Sequence, residues 1–399
     1  MNWYGRFMKK KILIIFTGAM DLGGIERSLI GLLNAIDYSR YDVDLFLYGH
    51  HGPLFKYIDH RVNILPEVRE LSYLRDSFLK KITHGSFFSA GLRIRDFLLS
   101  KYKRVYNDQT WAEILDRYVP KNNCTYDLAI GFFRPFDYLI NKVKARVKIG
   151  WIHTDYSDAE NNDITVERDY MQVPLIAAVS EKCREAFCRK YPSFEERTVV
   201  IENIYSVPFI CHQADAFVPK EMLDDSSVKL LSIGRFCTAK NFDNIPDICR
   251  RIIEKGVRNI KWFIIGYGND EKLIRRTIKE SGMFENVIIL GKKENPYPYI
   301  KNCDLYVQPS RYEGKCVSVV EAQILRKPVV ITNYFTSSSQ LNNGVDGLIV
   351  PIDNDGCAEG IVRLLKDSKT MKLLSDNCSK SDYSNKSQIE KIYRIIEKE

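Results

Sequence analysis

The chain has 399 residues, 45% hydrophobic and 28% charged, enough to build two domains with separate apolar cores. Its 59 basic and 51 acidic residues leave a formal charge of +8, which suits nucleic acid, anionic lipid or phosphorylated small molecules without selecting among them. No apolar run reaches the roughly 18 residues of a membrane span, and the ten cysteines make neither CxxC pairs nor zinc-spaced sets with histidine, so they read as reduced thiols of a cytosolic protein.

In chain order, MNWYGRFMKKKILIIF has a charged start, but its apolar run is short and breaks at Thr17-Gly18. It reads as a first core strand rather than a leader, with Met8 as an alternative start. The turn Asp21-Leu22-Gly23-Gly24 leads into IERSLIGLLNAI, where Ile25, Leu29, Leu32, Leu33 and Ile36 keep helical spacing. VDLFLYG, YDLAIGFF, VKIGWIH, LIAAVS and TVVIENI follow as short apolar runs separated by helix-like or polar stretches, the pattern of parallel strands with crossovers. Between them, Lys80, Lys81, Arg93, Arg95, Lys101, Lys103 and Arg104 stand against the single acid Asp96 and alternate with Phe87, Phe88, Leu92, Phe97, Leu98 and Leu99. That mixture fits a membrane-surface element and equally a domain-surface helix with a solvated basic face.

The second half restarts the alternation with VKLLSIGRF, WFIIGYG, VIILG, DLYVQPS, PVVITN and GLIVPI, joined by helical stretches. The expected architecture is α/β, with two doubly wound domains over residues 1–205 and 206–378. Tyr205 to Ser227, polar and aperiodic, is the linker candidate. The amphipathic helix SQIEKIYRIIEK, within 379–399, is expected to pack back across the domain boundary.

Open parallel sheets bind ligands beyond the carboxyl ends of their strands, so the turns after strands carry the candidate chemistry. Gly23 and Gly24 precede a helix amino terminus suited to an anion, although a tight unliganded turn explains two glycines as well. Arg235 and Lys240 project from the loop after VKLLSIG; a diphosphate or ordinary surface ion pairing accounts for them. Gly266 and Gly268 lack the third glycine of a dinucleotide fingerprint, which argues against a nicotinamide dehydrogenase. His153 ends an apolar strand and is a catalytic or a structural histidine. Asp42 and Asp44 lie at the entry of their strand and read as flanking polarity, and no metal-ligand spacing appears elsewhere.

The pair Glu313 and Glu321 brackets EGKCVSVVE between a strand and a helix. If that helix starts near Lys315, then Val317, Glu321 and Ile324 share a face, which puts a carboxylate in an apolar stripe. A buried carboxylate needs a partner, and a sugar diol supplies two hydroxyl donors.

Taken together, GGIERS, WIHTD, SIGRF with Lys240, IIGYG, the Glu313-to-Glu321 segment and GVDGLIVP resemble the family 4 retaining glycosyltransferases (GT4). The resemblance implies the GT-B fold, two Rossmann-like domains facing across a cleft. It further implies that Arg235 and Lys240 hold a donor diphosphate and that Glu321 accepts bonds from the ribose. Glu313 and the amides from Gly314 through Lys315 and Cys316 to Val317 would face the donor sugar and its phosphate. Gly23 and Gly24 would approach that phosphate from the other domain, and His153 would line the sugar pocket. Lys315 and Cys316 stand where many members carry an aromatic and a small residue, which leaves the donor sugar open. No cofactor and no metal is implied, because the two cations take the metal's role. The implied partners are a UDP- or GDP-sugar and a lipid-linked oligosaccharide, and the implied setting is bacterial capsule, exopolysaccharide or O-antigen synthesis. The enzyme would be cytoplasmic, peripheral on the inner face of the cell membrane. Competing expectations are a sugar-nucleotide 2-epimerase of the same architecture and a non-catalytic sugar-nucleotide-binding protein. A nucleic-acid partner lacks any supporting motif.

Overall fold

The computed structural model describes residues 9–68, 119–156, 164–223 and 226–398. The basic stretch from Lys80 to Arg104 lies outside the described residues. In the first domain the apolar runs form the strands β1 (Lys10–Phe16), β2 (Tyr41–Leu47), β3 (Asn63–Ile64), β4 (Thr125–Gly131), β5 (Lys144–Ile152), β6 (Leu175–Ala178) and β7 (Thr198–Val200). They make one parallel sheet in the order β3-β2-β1-β4-β5-β6-β7. Helices α1 (Gly24–Ala35), α2 (Asp137–Asn141), α3 (Ile164–Met171) and α4 (Glu181–Lys190) belong to the crossovers. Burial on both faces explains why β1 reads as an unbroken apolar run: every residue from Ile12 to Phe16 is buried.

The chain enters the second domain through α5 (Val207–Ala214). Its parallel sheet has the order β10-β9-β8-β11-β12-β13, with β8 (Val228–Ile233), β9 (Ile260–Ile265), β10 (Val287–Gly291), β11 (Leu305–Gln308), β12 (Val329–Thr332) and β13 (Leu348–Val350). The helices α6 (Ile245–Glu254), α7 (Glu271–Glu280), α8 (Tyr297–Asn302), α9 (Val317–Ile324), α10 (Asn354–Lys366) and α11 (Ser368–Lys380) complete it. In both sheets the strand order reverses beside the domain's opening strand, between β1 and β4 and between β8 and β11. A crevice forms at such a reversal because the crossovers leave toward opposite faces.

The segment expected to be a polar linker is partly helical. Pro208 occupies the first turn of α5, where a missing N–H costs nothing, and Ile210 is buried in the second domain's core. The domain crossing falls between Ile204, which packs in the first core, and Tyr205, which packs in the second. The return crossing runs alongside: the Tyr205 N–H donates to the Ser384 carbonyl at 2.8 Å. Helix α12 (Ile389–Glu397) then buries Ile389, Ile392, Tyr393 and Ile396 in the first domain's core, and Tyr393 stacks on Tyr41 with ring centroids 4.5 Å apart. The amphipathic spacing at the carboxyl end thus serves the amino-terminal domain.

Candidate active site

Both strand-order reversals open onto one cleft of about 540 Å³ between the domains. Gly23, Gly24 and Arg27 line it from α1 and the turn before it, and Phe133, Arg134 and His153 from the ends of β4 and β5. The second domain contributes Arg235 and Lys240 from the loop after β8, and Glu313, Lys315, Cys316 and Val317 from the turn into α9. That loop can press against its neighbour because position 266 lacks a side chain. A Cβ on Gly266 would lie 1.9 Å from the Gly234 carbonyl oxygen, well inside contact.

Lys240 and Glu313 meet directly. The ammonium donates to Glu313 Oε1 at 2.5 Å, with the lysine side chain 18% exposed. Burial works against the Lys240 charge, but the neighbouring Cys316 and Glu313 outweigh it and hold the pKa above its ordinary value. Lys240 is therefore a fixed cation at any physiological pH. Glu313 is aimed by a relay from the core of the sheet. Gln308 on β11 donates to the Ser310 hydroxyl at 2.9 Å, Ser310 donates to Glu313 Oε1 at 2.6 Å, and the Thr336 hydroxyl holds the Glu313 carbonyl at 2.6 Å. Arg235 is exposed on the same wall; burial raises the pKa of Glu26 on the facing domain, and the charges of Arg27 and, more weakly, Arg235 oppose the rise. Three of the four groups expected to gather, Arg235, Lys240 and Glu313, share the cleft.

Glu321 is placed differently. The helix begins at Val317 rather than near Lys315, and Glu321 is 1% exposed, one turn in and behind the cleft wall. It is buried, as its place in the stripe requires, but its partners here belong to the protein. Arg27 Nε of α1 lies 3.0 Å from Oε1, and the Tyr297 hydroxyl donates to the same oxygen at 3.0 Å. Burial raises the Glu321 pKa, and Arg27 and Tyr297 oppose the rise. Oε2 is buried without a hydrogen-bond partner among the described residues.

The turn Gly314 to Val317 departs from the expected row of free amides. The Cys316 N–H donates to Gln340 Oε1 at 2.6 Å, and Lys315 Nζ turns away to the Ser339 carbonyl at 2.6 Å and to within 3.6 Å of Glu202. Gly314 abuts the first domain, where a Cβ would meet the His153 carbonyl oxygen at 2.6 Å. On the opposite wall the Glu26 carboxylate folds over the amino end of α1. A Cβ on Gly23 would lie 2.1 Å from Glu26 Oε2, so only glycine leaves room for that carboxylate beside the turn. Gly24 packs toward Val317, at 3.4 Å from a built Cβ.

His153 lies against the rings of Phe132 and Trp151, and burial in that aromatic wall lowers its pKa to about 3. It is neutral across the physiological range, with Nε2 buried and unpaired. Asp42 pairs with Lys9 at 3.3 Å, and Asp44 accepts from Tyr126 and Asn63, so both acids serve the strand edge. Among the described residues no group of three metal-ligating side chains occurs. The sequence reading missed Arg27, Glu202, Tyr297, Ser310 and Gln340. Only Arg27 carried a local signal, inside GGIERS; the others depend on distant parts of the chain.

Residues 213–381 match the family described as Glycosyl transferases group 1. An uncharacterized glycosyltransferase of Haemophilus influenzae is 23% identical over 337 residues, 83% of each chain. The N-acetylgalactosamine-N,N'-diacetylbacillosaminyl-diphospho-undecaprenol 4-alpha-N-acetylgalactosaminyltransferase of Campylobacter jejuni is 28% identical over 160 residues, 39% of this chain and 43% of that one. The chain therefore spans less than half of that relative. Among solved structures, S. aureus TarM in complex with Fondaparinux, alpha-GlcNAc-glycerol and UDP superposes with a TM-score of 0.70 at 16% identity, covering 97% of this chain and 99% of that one. Anabaena Alr3699/HepE in complex with UDP-glucose gives 0.66 at 18% identity, covering 96% and 99%.

The fold is GT-B. The family match and the named relatives support a transferase, and they do not favour an epimerase or a non-catalytic binder.

Proposed function

We propose that the chain is a retaining glycosyltransferase that moves a sugar from a nucleotide-sugar donor to a lipid-linked glycan in bacterial cell-surface polysaccharide synthesis. The observation that carries this reading is the convergence of Arg235 with the Lys240–Glu313 pair at a strand-order reversal, across the cleft from the Gly23-Gly24 turn. Departure of a nucleoside diphosphate puts negative charge on the phosphate and positive character on the sugar carbon. Arg235 and Lys240 stabilise the first and Glu313 the second. His153, neutral and with a pKa of about 3, is a poor base at neutral pH. That agrees with same-face attack in which the departing phosphate takes the acceptor's proton and His153 lines the sugar pocket. The two cations replace a divalent metal, so turnover persists in excess EDTA.

The solved complexes of TarM with UDP and of HepE with UDP-glucose favour a UDP-sugar over a GDP-sugar. The Campylobacter relative, whose name specifies a diphospho-undecaprenol acceptor, favours a lipid-linked one. The basic, aromatic-rich stretch Lys80 to Arg104 offers a route to such an acceptor by attachment to an anionic lipid surface; no described helix is long and apolar enough to cross a membrane. A thermal-shift panel of UDP- and GDP-sugars tests the donor: a ligand at a hundred times its Kd adds about 2.7 kcal/mol of stability. Arg235→Ala and Lys240→Ala are each expected to cut turnover by about two orders of magnitude, and wild-type rates in either variant would refute the diphosphate role.

A further inference from the structure

Residues 314 to 321, which follow Glu313 and form the wall behind it, are tied to the other domain at several points. The first tie is steric, Gly314 against the His153 carbonyl. Two more are ionic and largely buried. Lys315, its side chain 8% exposed, reaches Glu202 at 3.6 Å, and Glu321 reaches Arg27 at 3.0 Å. Glu202 sits at the domain crossing itself, where its Oε2 also accepts from Asn385 Nδ2 of the returning chain at 3.2 Å.

The polarity of the two pairs is opposed. The second domain offers a cation at 315 and an anion at 321, and the first domain answers with an anion at 202 and a cation at 27. A slide or rotation of one domain that set Lys315 toward Arg27, or Glu321 toward Glu202, would bring like charges together in a poorly solvated place, so only one closed register satisfies both pairs. The same segment fixes the catalytic wall. Cys316 lies 3.9 Å from Lys240 Nζ through its sulfur, and Ser318 is bonded to Tyr306 of β11 at 2.8 Å. Closing in register therefore sets where Lys240 and Glu313 stand relative to the opposite wall.

We propose that Arg27 and Glu202 are positioning residues for the transfer reaction: by gripping Glu321 and Lys315 across the domain boundary they select the closed register in which the Lys240–Glu313 pair faces the donor. This rests on the glycosyltransferase reading for its kinetic arm alone. Arg27→Gln and Glu202→Gln, made separately, should lower the rate of UDP release from UDP-glucose at least about tenfold, while the Kd for UDP measured by calorimetry moves by less than about threefold. Lys315→Met combined with Glu202→Gln should lose no more than either single change, because one interaction is being removed twice. Small-angle scattering without nucleotide should show both variants wider between the domains than the wild type, at unchanged melting of the second domain. Unchanged scattering together with wild-type rates would overturn the proposal, as would additive losses in the double variant or UDP affinity falling in step with rate. A wild-type chain that binds none of the UDP- and GDP-sugars of the panel would instead defeat the glycosyltransferase reading, and the scattering arm would still decide this one.

Discussion

His153 shows how a single residue acquires its chemistry from its surroundings. Ring burial against Phe132 and Trp151 disfavours the imidazolium and takes the pKa to about 3, from an ordinary value near 6.5. Because the folded value is the lower, the unfolded chain binds this proton first on acidification. The folded state then loses stability as pH falls from about 6.5 toward 3, at roughly 1.4 kcal/mol per pH unit from this residue. His153→Gln should flatten the acid limb of a stability-against-pH curve measured by urea titration; an unchanged limb would mean the ring is better solvated than it is here. Lys240 has the opposite setting: neighbouring acids overcome its burial and it keeps its charge. Within the cleft Lys240 is thus a permanent cation and His153 an uncharged ring, a difference that suits phosphate beside the one and sugar beside the other.

At the level of the element, the turn from Glu313 into α9 matters most, and glycine at 314 is what lets it meet β5. Adding one methyl group there would push against the His153 carbonyl oxygen at 2.6 Å, a backbone atom with no flexible side chain to yield. Gly314→Ala should cost about 1–3 kcal/mol in closure and reduce turnover by about tenfold or more, while denaturation of the second domain's core stays near wild type. Equal turnover in the alanine variant would show that the domains do not need this contact. The turn's placement could not be read locally. EGKCVSVVE shows a strand exit, two carboxylates and a helical stripe, but whether Glu321 faces solvent, substrate or another helix depends on α1 and α8. Arg27 and Tyr297 lie against Glu321 Oε1, while its Oε2 is buried without a hydrogen-bond partner among the described residues. The helix starts at Val317, two residues beyond Lys315, and the Cys316 amide at its cap is held by Gln340 from a distant part of the chain.

For the whole molecule, the two crossings and α12 join what the two sheets separate. Ile392 is fully buried in the first domain although α11, the helix before its own, packs in the second. Ile392→Ala should destabilise the first domain by about 2–5 kcal/mol, read by hydrogen exchange as faster amide exchange confined to the strands of that domain. Faster exchange in both domains would mean that they unfold as one unit. The same connection makes the domain crossing a double strand, with Tyr205 bonded to Ser384, and so limits the directions in which the domains can separate.

What the sequence determined by itself was the list of parts: thirteen strand-like runs but one, the short β3, stood out by hydrophobic period, as did the two-domain alternation, the amphipathic last helix and the loops that carry Arg235, Lys240, Glu313 and His153. These are legible because strand burial and helix amphipathicity are written into neighbouring residues. Tertiary structure alone decided the partners: Arg27 for Glu321, Glu202 for Lys315, Gln340 for the Cys316 amide, and the chain's own Glu26 at the amino end of α1. A charge or an amide in sequence announces a need for a partner but not its address, since the group that answers lies in a segment whose local pattern carries no trace of the pairing.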